Sequence, residues 1–180
     1  MSDDRAVSAA RAPIPPPRGP AVALMSRAPR TGATKSRLAE AVGAEAAAAL
    51  ARAFLLDAAE AVRAGDWHAA VFVEPAEAVE EVAALTGIED ARPQAAGDLG
   101  GRMLAAVDEL AGDGYGPVIV VGSDIPMMSA QHIEEAFAAL GALDGCDIVF
   151  GPAEDGGYYL VAMHRPQPVL FGAFIEWGGA

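Results

Sequence analysis

Short apolar runs alternate with longer stretches of helical periodicity along most of the chain. Runs of four to eight apolar residues bounded by turn residues predict buried strands. Such runs occur at residues 21–25, 67–73, 117–122, 147–151 and 158–163. Helical patterns occupy residues 35–64, with a break near Gly43, and residues 75–85, 99–111 and 129–140.

Strands that alternate with helices predict an α/β fold whose mostly parallel sheet is covered by helices on both faces. Residues 152–157 alone join the last two predicted strands. This connection is too short for the crossover helix between parallel neighbours, so one strand near the C-terminus is predicted to be antiparallel. Ligands of such sheets bind beyond the carboxyl ends of the strands. Four polar motifs of this chain fall there.

The first 20 residues differ in composition from the rest, because they are rich in proline and contain few large apolar side chains. We expect residues 1–20 to form a disordered or polyproline-like tail. Contact of its arginines with a partner is the alternative. Residues 21–180 are long enough for one domain with its own core.

The formal net charge of −13 argues against nucleic acid and anionic membranes as general partners. No run approaches the roughly 18 apolar residues of a membrane helix, and the first residues do not resemble a signal peptide. A single cysteine, Cys146, fits a reducing compartment. We therefore expect a cytoplasmic protein without membrane insertion.

Positive charge is concentrated in the loop after the first predicted strand, which contains Arg27, Arg30, Lys35 and Arg37. Gly32 lets the backbone approach a ligand closely, and the amides at the start of the next helix attract anions. Lysine and arginine are the usual phosphate ligands. The sequence predicts a phosphate site here. A solvated basic loop that caps the helix is the alternative, and a P-loop is excluded because its two glycines are missing.

An acid follows the clearest predicted strand: Ser123 and Asp124 come directly after its last residue, Gly122. A carboxylate is a good ligand for Mg²⁺, which needs one or two of them beside phosphate oxygens. We therefore predict that Asp124 binds a metal that holds a diphosphate. An ordinary strand-end turn is the alternative.

A third motif runs from Gly97 to Met103 at the start of the predicted helix 99–111, and its candidate site residues are Gly97, Asp98 and Leu99. The glycine indicates close approach to a base or ribose, with Asp98 as a hydrogen-bond acceptor. Asp98 as the N-cap of the helix explains the motif equally well.

The fourth motif joins the last two strands with two acids and two glycines: Glu154, Asp155, Gly156 and Gly157. The acids predict an acceptor site or a second metal ligand. A plain turn also uses glycine for its positive φ, and this alternative stays open.

Together the four motifs resemble a bacterial family of glycosyltransferase-A-like proteins, related to phospholactate guanylyltransferases and molybdenum-cofactor guanylyltransferases. The resemblance covers residues 22–177. It implies a Rossmann-like three-layer sandwich of the nucleotide-diphospho-sugar transferase type, a nucleotide donor, and Mg²⁺ or Mn²⁺ as cofactor. The resemblance places Arg27, Lys35 and Arg37 in the phosphate loop and Asp124 at the metal, with Lys35 and Asp124 in catalysis.

The predicted function is a metal-dependent transferase, foremost a glycosyltransferase that uses a nucleotide-sugar and a small-molecule acceptor. Transfer of a nucleotidyl group from an NTP to a phosphorylated acceptor is the alternative. A catalytically degenerate nucleotide-binding protein is a third hypothesis, because the metal motif holds one acid where Asp-x-Asp is expected.

The segment 168–177 is strongly apolar and only three residues follow it. An exposed patch of this kind is unusual for a soluble monomer. The segment folds back onto the sheet, forms a homodimer contact, or belongs to a C-terminally truncated domain. The resemblance favours truncation.

Overall fold

Strands and helices alternate in the computed structural model, which describes residues 17–32, 36–142, 146–154 and 156–171. The strands are β1 (Ala21–Arg27), β2 (His68–Glu74), β3 (Asp90–Pro93), β4 (Val118–Gly122), β5 (Ile148–Pro152) and β6 (Tyr158–Met163). The helices are α1 (Ser36–Val42), α2 (Ala44–Arg63), α3 (Val79–Thr86), α4 (Leu99–Gly112) and α5 (Ala130–Ala142). Short 3₁₀ turns occupy Ala76–Ala78 and Pro168–Phe171.

The six strands form one sheet in the order β3-β2-β1-β4-β6-β5. The central strand β1 is parallel to β2 and to β4, and β2 is parallel to β3. Strand β6 is antiparallel to both of its neighbours. The predicted α/β class, with a mostly parallel sheet and one antiparallel strand near the C-terminus, is confirmed.

Alternate residues of each strand supply the two apolar cores on either side of the sheet. Leu24 faces the core that α2, α3 and α5 cover, where it lies with Leu55 and Ile133. Its neighbour Met25 faces the opposite core, which contains Leu110 of α4. Period-two alternation in the central strands therefore produces a three-layer sandwich.

Three local features refine or correct the predicted elements. The predicted break in the long helical segment lies at Gly43, whose φ of 86° suits glycine and separates α1 from α2. The segment after β2 begins as the 3₁₀ turn Ala76–Ala78 before α3, so its start differs from the predicted helix. Strand β3 was not expected from the sequence, because its four residues carry no apolar alternation.

The last residues of the proline-rich segment contact the domain. The Arg18 amide donates to the carbonyl of Gly114 at 2.8 Å, and the His68 amide donates to the carbonyl of Pro20 at 2.9 Å. Residues 1–16, which hold most of the predicted tail, lie outside the described residues.

The apolar C-terminal segment is described only as far as Phe171. This side chain is buried, whereas Val169 is 81% exposed. Residues 172–180 lie outside the description, so the dimer and truncation hypotheses stay predictions. Among the helices of the described ranges, none is both long and apolar enough to cross a membrane.

Candidate functional site

A cavity of about 590 Å³ opens at the carboxyl edge of the sheet. It is lined by Met25, Ser26, Arg27, Ala51, Glu74, Gln94, Gly97, Asp98, Leu99, Arg102, Gly122, Ser123 and Asp124. These residues come from the ends of β1, β2 and β4, the start of α4 and one face of α2. The carboxyl ends of parallel strands meet at one edge, which is where such sheets bind ligands.

The predicted metal ligand lies on the β4 side of this cavity. Asp124 is exposed and lines it together with Ser123. The Ser123 amide donates to the carbonyl of Met25 at 3.2 Å, so the end of β4 stays attached to β1 beyond the regular ladder. Asp124 lies in the turn that follows β4, one residue beyond this contact.

The basic loop contributes less to the cavity than expected. Arg27 lines it, but the described residues Gly32 and Arg37 are not among the lining residues. Residues 33–35, which include Lys35, lie outside the description. Arg30 is ion-paired with Glu81 at 2.7 Å, on the exposed surface. The phosphate roles of Gly32, Lys35 and Arg37 stay predictions.

The Gly97 motif forms the start of α4. The carboxylate of Asp98 accepts a hydrogen bond from the Gly101 amide at 2.8 Å, which is the N-cap role that the sequence left open. Asp98 and Gly97 nevertheless line the cavity, and Leu99 presents a side chain that is 46% exposed there. Capping and ligand contact are therefore compatible at this position.

Three side chains that contact one another in this lining were not among the predicted site residues: Glu74, Gln94 and Arg102. The carboxylate oxygen Oε2 of Glu74 accepts from Nη1 of Arg102 and from Nη2 of Arg27, the latter at 3.0 Å. Nε of Arg102 donates to the carbonyl of Gly97 at 2.9 Å. An acid as the last residue of β2 and an arginine one turn into α4 were the available signals.

Gln94 fixes the ends of two strands to each other. Its Nε2 donates to the carbonyl of Ser26 at 2.9 Å and to that of Phe72 at 3.0 Å. Its Oε1 accepts a long contact of 3.5 Å from Arg102. The side chain thus links β1, β2 and the arginine of α4 beside the cavity.

The two arginines stabilise the ionised form of Glu74. Hydrogen bonds from Arg102 and then from Arg27 lower the pKa of this carboxyl below its ordinary value, against the opposing effect of partial burial. An ordinary glutamate is already ionised at neutral pH, and the two hydrogen bonds stabilise the ionised form of Glu74 further.

The predicted acceptor motif forms a hairpin turn between β5 and β6. The Ala153 amide donates to the Gly157 carbonyl at 2.9 Å, and Gly156 has a φ of 87°. Glu154 is exposed, and Asp155 lies outside the description. None of the described residues of this turn lines the cavity. An acceptor role for Glu154 to Gly157 stays a prediction.

The donor set for a metal is small. The described part of the chain holds no group of three or more His, Cys, Asp or Glu side chains arranged for a metal ion. Of the lining acids, Glu74 is engaged by two arginines and Asp98 caps α4. Asp124 suits Mg²⁺ or Mn²⁺ that takes its remaining ligands from phosphate and water, as such ions commonly do.

Comparison with known proteins agrees with this architecture. Residues 55–179 match the family described as "Uncharacterized protein conserved in bacteria (DUF2064)". A search of curated proteins found no match.

Two solved structures are similar to the chain. One is the crystal structure of a "putative nucleotide-diphospho-sugar transferase" from Desulfovibrio desulfuricans, at 32% identity and a TM-score of 0.80. That match covers 89% of this chain and 70% of the other. The second is a cytidylyltransferase from Leptospira borgpetersenii, at 14% identity and a TM-score of 0.53, covering 84% of this chain and 61% of the other. The second likeness concerns the fold alone.

The family match spans more than half of the chain, and the Desulfovibrio protein shares both its sequence and its fold. The chain is therefore a member of the DUF2064 family of bacterial proteins, with the fold of the nucleotide-diphospho-sugar transferases.

Proposed function

We propose that this protein is a metal-dependent transferase that binds a nucleotide donor in the cavity at the carboxyl edge and transfers a sugar from it. One observation carries the proposal. A single cavity brings together two arginines, Arg27 and Arg102, and a strand-end carboxylate, Asp124. Cations for a diphosphate and an acid for its metal are the groups that such a donor needs.

The layout of the cavity supports an extended ligand. Arg102 and Glu74 lie on the β2 side and Asp124 lies on the β4 side, with β1 between them. Two strand spacings separate the two sides, about 10 Å. A nucleoside diphosphate is long enough to contact both. Leu99, Ala51 and Met25 offer apolar surface in the same cavity.

Each group has a distinct chemical task in this proposal. Asp124 holds the divalent ion, which when bound neutralises charge on the diphosphate. Arg27 and the predicted loop residues Lys35 and Arg37 stabilise the negative charge that builds on the leaving diphosphate. Ser123 and the Gly97–Leu99 motif position the nucleoside.

Nucleotidyl transfer is the second candidate, because the Leptospira structure with the same fold is a cytidylyltransferase. The two reactions release different leaving groups. Sugar transfer breaks the bond between the anomeric carbon and the diphosphate and frees a nucleoside diphosphate. Nucleotidyl transfer breaks the bond between the α- and β-phosphates of an NTP and frees pyrophosphate.

Product identification tests the proposal and separates the two reactions. The protein is incubated with Mg²⁺ or Mn²⁺, a panel of nucleotide-sugars and NTPs, and a mixture of small-molecule acceptors. Mass spectrometry then detects the released group and the product. Release of a nucleoside diphosphate together with a glycosylated product is expected. Release of pyrophosphate would favour the second candidate, and metal-dependent binding without any turnover would favour a degenerate nucleotide-binding protein.

A further inference from the structure

One carboxylate oxygen lies between two arginines at the β2 side of the cavity. Oε2 of Glu74 accepts from both Arg27 and Arg102. These two hydrogen bonds stabilise the ionised form of Glu74 and lower its pKa. An oxyanion contacted by two guanidinium groups is also how proteins bind phosphate. Glu74 therefore occupies the position, relative to Arg27, that an oxygen of the donor would take.

The two arginines are held unequally. Arg102 is 23% exposed and donates to three acceptors: Glu74, the Gly97 carbonyl and, at 3.5 Å, Gln94. Arg27 is 57% exposed, and its one hydrogen bond in the description is the 3.0 Å contact with Glu74. An exposed ion pair of this kind is weak. Arg27 is therefore free to exchange partners at little cost, whereas Arg102 is fixed.

We propose that Glu74 is an ionic latch, a positioning residue that fixes Arg102 for the donor and holds Arg27 until a diphosphate replaces it as the partner of Arg27. This inference rests on the proposed function, because it names a device of the same site. Glu74 keeps its contact with Arg102 throughout, and only the guanidinium of Arg27 changes partner, from carboxylate to phosphate.

The charges that line the cavity explain how the latch would affect binding of the donor. The described lining contains two cationic side chains, Arg27 and Arg102, and three carboxylates. With Arg27 paired to Glu74, this lining presents little positive charge to an arriving anion. Release of Arg27 adds one mobile cation when the diphosphate and its metal arrive. The latch thus makes donor affinity depend on competition between Glu74 and phosphate.

The test uses Mg²⁺–pyrophosphate as the probe, so that no base or sugar needs to be known. Its dissociation constant is measured by calorimetry for the parent and for Glu74→Gln, Arg27→Ala and the double variant. Glutamine keeps an oxygen that accepts from Arg102 but removes the charge that retains Arg27. Glu77→Gln is the matched control, because Glu77 lies nearby, pairs at 3.8 Å with Arg30 and does not line the cavity.

Glu74→Gln is expected to tighten pyrophosphate binding by about fivefold, the equivalent of one exposed ion pair. The gain should be clearly smaller in the Arg27→Ala background, and Glu77→Gln should bind like the parent. If Glu74→Gln tightened pyrophosphate binding equally with and without Arg27, the effect of Glu74 would be simple repulsion of the anion, and the latch would be overturned. Weaker or unchanged binding in Glu74→Gln would overturn it as well.

The same experiment separates the latch from the proposed function. Parent protein that binds Mg²⁺–pyrophosphate while Glu74→Gln has no effect would remove the latch and leave the donor site standing. Failure of the parent to bind either pyrophosphate or any nucleotide of the panel would contradict both.

Discussion

At the scale of single residues, Asp98 illustrates how one side chain serves structure while facing a site. Its Oδ1 caps α4 through the Gly101 amide, and the residue also lines the cavity. A helix N-cap and a ligand contact make different demands on this side chain, because the cap requires an acceptor oxygen whereas a ligand also responds to the charge. Two substitutions test the capping role.

Asp98→Ala is expected to lower the free energy of unfolding by about 1 kcal/mol, because alanine cannot cap α4. Asp98→Asn should leave that free energy nearly unchanged, because asparagine caps a helix as well as aspartate does. Urea unfolding followed by circular dichroism measures both. Equal stability of the alanine variant and the parent would show that the cap contributes nothing.

Glu74 and Arg102 show why part of the site escaped sequence reasoning. Glu74 is one of four acids in residues 74–81 and Arg102 lies within the Gly97 motif, so neither stood out by its charge, and their contact joins positions 28 residues apart. Asp124 was easier to assign because it follows the clearest apolar run directly. A motif reveals residues that are neighbours in the chain, whereas this cluster depends on how strand order brings β2 and α4 together.

At the scale of elements, β3 lacks apolar alternation, and ion pairs of its charged side chains stabilise it. Its Asp90 accepts from Arg92 at 2.7 Å and contacts Nε2 of His68 on β2 at 2.7 Å. Arg92 also pairs with Asp113 beyond α4, at 2.7 Å. The strand is therefore attached to β2 through the contact between Asp90 and His68 and to the end of a helix through the ion pair of Arg92 with Asp113, which explains why periodicity alone did not predict it.

Asp90 makes the stability of this edge dependent on pH. Hydrogen bonds, first from Arg92 and also from His68, lower the pKa of Asp90 below its ordinary value of 3.8. A carboxyl whose pKa is lower in the folded than in the unfolded chain stabilises the fold above its unfolded pKa. That stabilisation is lost as the pH falls through the folded pKa.

Asp90→Asn should therefore cost roughly 1–3 kcal/mol of unfolding free energy at pH 7, because asparagine removes the negative charge and puts an NH₂ donor in place of one of the two oxygens that accept from Arg92 and contact His68. The difference from the parent should shrink as the pH falls below about 4. Urea unfolding between pH 7 and pH 3 measures it, with Asp57→Asn on the exposed side of α2 as control. A difference that stays constant over this range would contradict the role of the Asp90 charge.

At the scale of the whole molecule, the pattern of apolar residues predicted the fold class and the antiparallel strand, but not the edge strand β3. The alternation of strands and helices indicated the parallel sheet, and the short connection 152–157 indicated the antiparallel strand. The polar motifs were predicted to lie at the carboxyl edge of the sheet, and Arg27, Asp98 and Asp124 line the cavity there. The hairpin at Glu154 and the loop position Arg37 do not line the described cavity, because closeness in the predicted topology does not fix the direction of a loop.

The central claim is that a nucleotide donor and a divalent ion bind together at Asp124. Electron paramagnetic resonance of Mn²⁺, titrated with the protein and a panel of nucleotides and nucleotide-sugars, tests it most directly. The parent and the control Asp57→Asn should form a ternary complex of protein, Mn²⁺ and nucleotide. Asp124→Asn should lose it while keeping the parent melting temperature, because the change removes a charge with little change in shape. Formation of the same ternary complex by Asp124→Asn, with unchanged affinity for Mn²⁺, would contradict the account.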